Sequence, residues 1–268
     1  MQFAPVCPIH IYEGLAAHSK DAIGNYFLLL AHDVLENAAA YRKFFVDDWN
    51  TDLLGEPTII MDNSVIELGT SCDAKHLIRA CEVVNATVVA MPDALENGAG
   101  TLARTEKFIE EWIGFEGNSK YQTMYIPQGA NVSDFCKSFE TALKRFPNYI
   151  QWLGVARNLT DRIFPTRKIA VGYLHTLWPA AKLHMLGFSE NVKDDVDTCL
   201  DLAHIIEGID SAVPLRLGTR GTGIRCDITG NFLDPGPRGN WWADVKYVPH
   251  ISQNVIYMRR TLKEEGVK

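Results

Sequence analysis

Positive charge is the scarce commodity in this chain of 268 residues. Lys and Arg together number 26 against 33 Asp and Glu, for a net charge of −7. A protein that gripped polyanions indiscriminately would carry a broadly basic surface, so nonspecific nucleic-acid coating is excluded and any polyanion contact must rest on a local basic patch. The six cysteines at 7, 72, 81, 136, 199 and 226 include no C-x-x-C pair. That pattern fits reduced thiols rather than a disulfide framework, and no zinc-ligand spacing is present. Long apolar runs are missing too: nothing approaches the roughly 18 residues of a membrane span, and Met1-Gln2-Phe3-Ala4-Pro5 has no charged leader region. The expectation is a soluble, cytoplasmic protein with no membrane partner.

What is present is apolar content, 47% of the chain, with 22% charged residues, enough for one large core. Eight short apolar runs read as strands: Pro8 to Tyr12, Tyr26 to Ala31, Thr58 to Met61, Ala86 to Met91, Gln122 to Ile126, Ile150 to Leu153, Lys182 to Leu186 and Ile209 to Val213. From the second onward they recur about every 25 to 35 residues, the length of a strand plus a crossover helix. Helical periodicity fills the intervals, with apolar faces over Asp73 to Val84, Thr101 to Ile113, Ser133 to Phe146 and Asn191 to Ile206. The pattern predicts an α/β fold, a (β/α)8 TIM barrel in a single domain over 1–268, with its core at about 8–216. The remainder, 217–268, is expected to be an extension: a Gly-, Pro- and Arg-rich loop or hairpin over 218–239, then a last amphipathic helix.

Active sites of such barrels lie at the C-terminal ends of the strands, so polar residues that end apolar runs are the ones to collect. They are Asp62 with Asn63 and Ser64, Asp93, Gln128 with Gly129, Gly154 and Asp210, followed by arginines at 216, 220 and 225. Two carboxylates distant in sequence, Asp62 and Asp210, would meet across the mouth. Asp93 and Gln128 supply an acceptor and an amide suited to the edge of a planar heterocycle, and Gly154 would let a ring approach the backbone. Each has a structural alternative. Asp62 can be a turn residue held by its neighbours, Asp93 a helix cap, and Gln128-Gly129 an ordinary turn. Gly218 to Gly223 resembles a phosphate loop but lacks a following helix pattern. His184 and His204, on apolar segments, read as packed or surface residues, and Trp241-Trp242 as a cover for the barrel or a base-stacking platform.

These residues carry a resemblance. Asp62-Asn63-Ser64-Val65-Ile66-Glu67 is similar to the Asp-Ser-Gly-Gly-Phe-Gln segment of the tRNA-guanine transglycosylase superfamily, and Pro92-Asp93-Ala94 to its Asp-Glu segment. Pro127-Gln128-Gly129-Ala130 resembles its Val-Gln-Gly-Gly turn, Leu153-Gly154-Val155-Ala156 its Gly-Gly-Leu-Ala-Val-Gly, and Ile209-Asp210-Ser211-Ala212-Val213-Pro214-Leu215-Arg216 its Phe-Asp-Cys-Val-Leu-Pro-Thr-Arg. Five such matches fall in order over residues 57 to 220. The Gly-Gly of the first motif is replaced by Ser64-Val65, and the C-x-C-x-x-C plus His zinc element of the tRNA enzymes is missing. The chain therefore most resembles the shorter phage and bacterial DNA transglycosylases of the DpdA type.

That resemblance implies a glycosyltransferase that exchanges guanine in DNA for a 7-deazaguanine base such as preQ0, a DNA modification used against restriction. Asp210 would be the nucleophile and Asp62 the general acid/base. Asp93, Asn63, Gln128, Gly129 and Gly154 would hold the base, and Arg216, Arg220 and Arg225 the backbone phosphates. No cofactor and no zinc are expected, and a phage-encoded copy would work in the host cytoplasm. The alternatives are the same exchange on tRNA and a non-catalytic barrel that binds a nucleobase or nucleic acid.

Overall fold

A computed structural model describes residues 1–115, 117–159, 162–188, 192–221, 223–224 and 245–264. Eight parallel strands form a nearly closed barrel: β1 (Gln2–Pro5), β2 (Tyr26–Leu30), β3 (Thr58–Asp62), β4 (Val88–Ala90), β5 (Gln122–Tyr125), β6 (Trp152–Ala156), β7 (Lys182–Leu186) and β8 (Ile206–Ser211). Helices cover the outside, which makes this a (β/α)8 TIM barrel. Strands buried on both faces need apolar residues at every position rather than at alternate ones. That is why Tyr26-Phe27-Leu28-Leu29-Leu30 and Trp152 to Ala156 are buried throughout.

The first strand is not where the apolar pattern puts it. Residues 8 to 12 open a helix, α1 (Ile9–His18), with Pro8 at its N-cap and Ile9, Ile11, Tyr12 and Leu15 on its buried face. The strand is the preceding Gln2–Pro5, so the barrel core starts at residue 2 and not at 8. Proline is tolerated at the end of such a strand because Val6 supplies the next donor, to the Ser211 carbonyl at 3.0 Å.

After β2 the chain turns at once into α2 (Ala31–Glu36). The next outer helices are α3 (Ala74–Val84), α4 (Gly98–Ile113), α5 (Val132–Arg145), α6 (Arg167–Leu177) and α7 (Val192–Asp201). Four begin on a side-chain cap that satisfies an orphan N–H: Asp73, Asn97, Asn131 and Thr166 accept from His76, Gly100, Asp134 and Ile169. Asparagine caps place α4 and α5 slightly earlier than their apolar periodicity suggests. The run expected as one helix to Ile206 instead stops at Asp201, and Ile206 opens β8.

The last strand ends at Ser211, and Val213 begins a short helix, α8 (Val213–Gly218). The closing amphipathic helix is α9 (Val248–Glu264), whose Ile251, Val255, Met258 and Leu262 are buried. Most of the excursion expected over 218–239 lies outside the described residues, as do Arg225, Cys226, Trp241 and Trp242.

The hydrogen-bonded order is β1-β8-β7-β6-β5-β4-β3-β2, so β1 and β2 are neighbours without a ladder between them. Arg259 of α9 bridges this seam, donating to the carbonyls of Phe3 in β1 (3.4 Å), Ile23 (2.7 Å) and Asp21 (3.0 Å).

Candidate active site

A cavity of about 640 Å³ opens at the C-terminal ends of the strands. Asp62 ends β3, Asp93 and Gln128 follow β4 and β5, and Asp210 sits near the end of β8; all four side chains line this one space. The barrel thus brings together residues 148 positions apart, from 62 to 210, as the position of strand ends predicted. Arg216, half-buried in α8, and Arg220, exposed just beyond it, line the same cavity. Arg225 lies outside the described residues.

Asp210 is only 6% exposed. Its Oδ1 accepts the Gly187 N–H at 3.0 Å and lies 3.0 Å from His184 Nε2, within hydrogen-bond distance. His184 is wholly buried in β7, and its other ring nitrogen, Nδ1, meets the Tyr26 hydroxyl at 2.7 Å. Three local features make this possible. Between β7 and β8 the register slips, Leu183 opposing Ile206 but His184 opposing Gly208, so Glu207 is an extra residue that re-aims the rest of β8. Gly208 has no side chain where a Cβ would come within 2.6 Å of the Tyr26 ring, which leaves the ring free to reach across to His184. Gly187 adopts φ +64°, a conformation that points its N–H at Asp210 and that other residues adopt only with strain.

Asp62 has a different environment. Its Oδ2 accepts the Ser64 N–H at 2.8 Å, so it closes a turn with its neighbours while its carboxyl still lines the cavity. Burial pushes its pKa well above the ordinary carboxylate range, reinforced by Glu67, Asp93 and Asp210 and opposed by the Ser64 N–H. One mouth therefore holds two carboxyl groups with contrasting surroundings.

Asp93 is clamped by two amides. Asn63 Nδ2 donates to Oδ1 at 2.9 Å and Gln128 Nε2 to Oδ2 at 2.7 Å. Burial raises the pKa of Asp93, with both amides pulling against it. Asp93 is not a helix cap, since Asn97 performs that task for α4. Asn63 also donates to the Met91 carbonyl and accepts from the Val65 N–H, so it positions Asp93 and is itself enclosed rather than lining the cavity. The side-chain amide oxygen of Gln128, Oε1, accepts from the Glu96 N–H and from Asn158 Nδ2.

The two glycines expected at the base take other parts. A Cβ on Gly129 would lie 2.6 Å from the Phe135 backbone nitrogen, so Gly129 allows α5 to close against the loop. A Cβ on Gly154 would meet Leu186, Ile126 and Met124 at 2.8 to 3.0 Å. Its place is filled by side chains of the barrel interior, two of which, Leu186 and Ile126, line the cavity in its stead.

Sequence reasoning took His184 for a packed or surface residue, and packed it is, but gave it no part in the site; it did not single out Tyr26, Arg157 or His32. The last two line the cavity, and His32 Nδ1 is enclosed without a hydrogen-bond partner. A signal existed for His184: a lone histidine inside a strand with both faces covered must find polar partners.

Behind the site, Arg167 of α6 forms a buried ion pair with Asp195 of α7 at 3.2 Å. The same guanidinium donates to the carbonyls of Val155 (2.6 Å), Leu186 (3.2 Å) and Gly187 (2.5 Å), fixing the β6 and β7 ends and the loop that serves Asp210. Among the described residues no group of three or more His, Cys, Asp or Glu side chains converges as a metal set, and no helix is long and apolar enough to cross a membrane. A scan against protein-family models gives no match to this chain, and neither does a search of the curated proteins.

Proposed function

We propose that this chain is a transglycosylase that exchanges guanine in DNA for a 7-deazaguanine base such as preQ0. The observation that carries the reading is the pair of carboxyl groups at one mouth. Asp210 lines the cavity with one oxygen held between the Gly187 N–H and His184 Nε2; Asp62 has a pKa raised by burial. One suits a nucleophile and the other a proton donor, the division of labour that retaining glycosidases use.

Asp210 Oδ2 attacks C1′ of the target nucleotide, the C1′–N9 bond breaks with its electron pair going to guanine, and Asp62 supplies the proton that guanine needs to leave. The product is a glycosyl ester, which splits one difficult displacement into two easier ones. In the second step the incoming base gives its proton to Asp62 and attacks C1′, and Asp210 leaves as a carboxylate. Asp93 presents its remaining lone pairs to the N–H edge of the base, with Asn63 and Gln128 holding it in place. One glycosidic bond replaces another, so the cycle needs neither nucleotide hydrolysis nor a redox partner. The target nucleotide must leave the base stack, because C1′ cannot reach a barrel pocket from within a duplex. Arg216 and Arg220 supply local positive charge at the rim of an acidic protein.

DNA rather than tRNA is proposed because, within the superfamily, the sequence most resembles the DNA transglycosylases. The test offers the purified protein a labelled 7-deazaguanine with DNA or tRNA separately and counts label in each polymer. Label in DNA, with a covalent adduct lost in Asp210→Ala, is expected. Label in tRNA alone would move the substrate, and label in neither without an adduct would leave a nucleobase- or nucleic-acid-binding barrel.

A further inference from the structure

Base exchange uses Asp210 Oδ2 and leaves unexplained why a histidine and a tyrosine are buried beneath the other oxygen. Inside a barrel, polar groups are costly unless paired, and here the pairing is complete: the Tyr26 hydroxyl lies 2.7 Å from His184 Nδ1, and His184 Nε2 lies 3.0 Å from Asp210 Oδ1. Burial and the charges of Glu207 and Asp210 push the Tyr26 pKa well above its usual value, so the phenol keeps its proton, and the proposed arrangement has it donate the hydrogen bond to Nδ1. A neutral imidazole whose Nδ1 accepts carries its own proton on Nε2 and donates to the carboxylate. The Gly187 N–H is a second donor to the same oxygen.

We propose that Tyr26 and His184 are positioning residues that set the balance between free Asp210 and its glycosyl ester, by stabilising the carboxylate more than the ester. This rests on the transglycosylase reading. Two donors on Oδ1 select Oδ2 as the atom that attacks. When the ester forms, the negative charge leaves the carboxyl group and the bonds from His184 and Gly187 weaken. When the incoming base attacks C1′, the C1′–Oδ2 bond breaks, its electron pair returns to the carboxylate, and the same N–H groups regain a charged acceptor. Their stabilisation grows as Asp210 departs, which is where a preorganised donor accelerates a step. Without them the ester is the more favoured partner, and the enzyme waits there.

The consequence separates this role from a structural one. A residue needed only for the fold lowers adduct and turnover together; loss of this donor lowers turnover and raises the adduct. His184→Leu should increase the fraction of protein trapped on labelled DNA, relative to free protein, by roughly tenfold, the worth of one hydrogen bond to a charged group. His184→Gln, which offers an amide N–H near the place of Nε2, should restore most of the wild-type ratio. Tyr26→Phe keeps the imidazole and loses its orienting donor, so it should shift the ratio in the same direction by less, and it serves where His184→Leu does not fold.

The trapping experiment, read on a denaturing gel without incoming base, is paired with nitrogen NMR of the His184 ring at neutral pH in the free protein. A proton on Nε2 and a bare Nδ1 support the chain of donors; a proton on Nδ1, or on both nitrogens, overturns it. Adduct falling in parallel with turnover overturns the role in catalysis. If the wild-type protein forms no adduct with DNA or tRNA, the transglycosylase reading fails, and the ring nitrogens still decide whether His184 donates to Asp210.

Discussion

Replacing Arg167 with methionine should cost about 3–5 kcal/mol of stability, the penalty for leaving one member of a buried ion pair alone. The structure places the cost at the upper part of that range. The Arg167 and Asp195 side chains are 1% and 2% exposed, so water cannot take over from the lost guanidinium, and three carbonyls lose their donor with it. Urea unfolding followed by circular dichroism measures the loss. The double variant Arg167→Met with Asp195→Leu removes both charges and fills the space, and apolar replacement of a buried pair is commonly neutral or stabilising. It should therefore regain the part of the loss due to the unpaired Asp195 charge, but not the part due to the three carbonyls left without a donor. It should not regain activity, because the Gly187 carbonyl would still lack its anchor and the Gly187 N–H its fixed aim at Asp210. A single variant that loses less than about 1 kcal/mol would refute the energetic reasoning. A double variant that recovers exchange together with stability would refute the link between Arg167 and the nucleophile.

Asp62→Asn should lower exchange by about 10² to 10⁴, the usual worth of a general acid/base. It should also change how stability depends on pH. The folded state holds the Asp62 proton more tightly than the unfolded chain, so the wild type keeps this contribution below the unfolded pKa and loses it as pH rises through the folded one. The asparagine variant should gain on the wild type across that window, by about 1.4 kcal/mol for every pH unit between the two pKa values; superimposable curves would remove the assignment. If Arg216 and Arg220 meet DNA phosphates, changing either to alanine should reduce the slope of log affinity against log salt by about 0.7 to 0.9, with little effect on sequence preference. An unchanged slope in fluorescence-anisotropy titrations would place the DNA elsewhere.

The outline of this barrel was legible because seven of the eight apolar runs overlap a strand, and β2, β4 and β6 are apolar and buried at every position, as strands covered on both faces must be. The first strand failed the same test: Gln2–Pro5 is four residues long and contains a proline, whereas the more apolar Ile9-His10-Ile11-Tyr12 beside it belongs to a helix whose buried positions are 9, 11, 12 and 15. The rim was legible for a topological reason, since strand ends converge wherever they fall in the sequence, and Asp62, Asp93, Gln128 and Asp210 share a cavity accordingly. What lies behind the rim was not. Asn63 reads as a base contact until its amide is seen to be used by Asp93, Met91 and Val65. Gly154 reads as room for a ring, yet Leu186, Ile126 and Met124 occupy that room. His184 and Arg167 are separated in sequence from the groups they serve, and only the one-residue slip at Glu207 and the crossing of α6 and α7 bring them there.

The seam between β1 and β2 has a consequence for how the chain is made. β1 takes its ladder from β8 alone, pairing Gln2 with Gly208 and Pro5 with Ser211, and the guanidinium that spans the seam belongs to residue 259. A ribosome delivers residues 2 to 5 first and their partners some two hundred residues later. Throughout that interval Gln2–Pro5 lacks the only ladder partner it has in the folded barrel. The β1–β8 ladder therefore needs residues 206 to 211, and a chain cut short before Arg259 would lack the guanidinium that ties Phe3 to Ile23 across the seam.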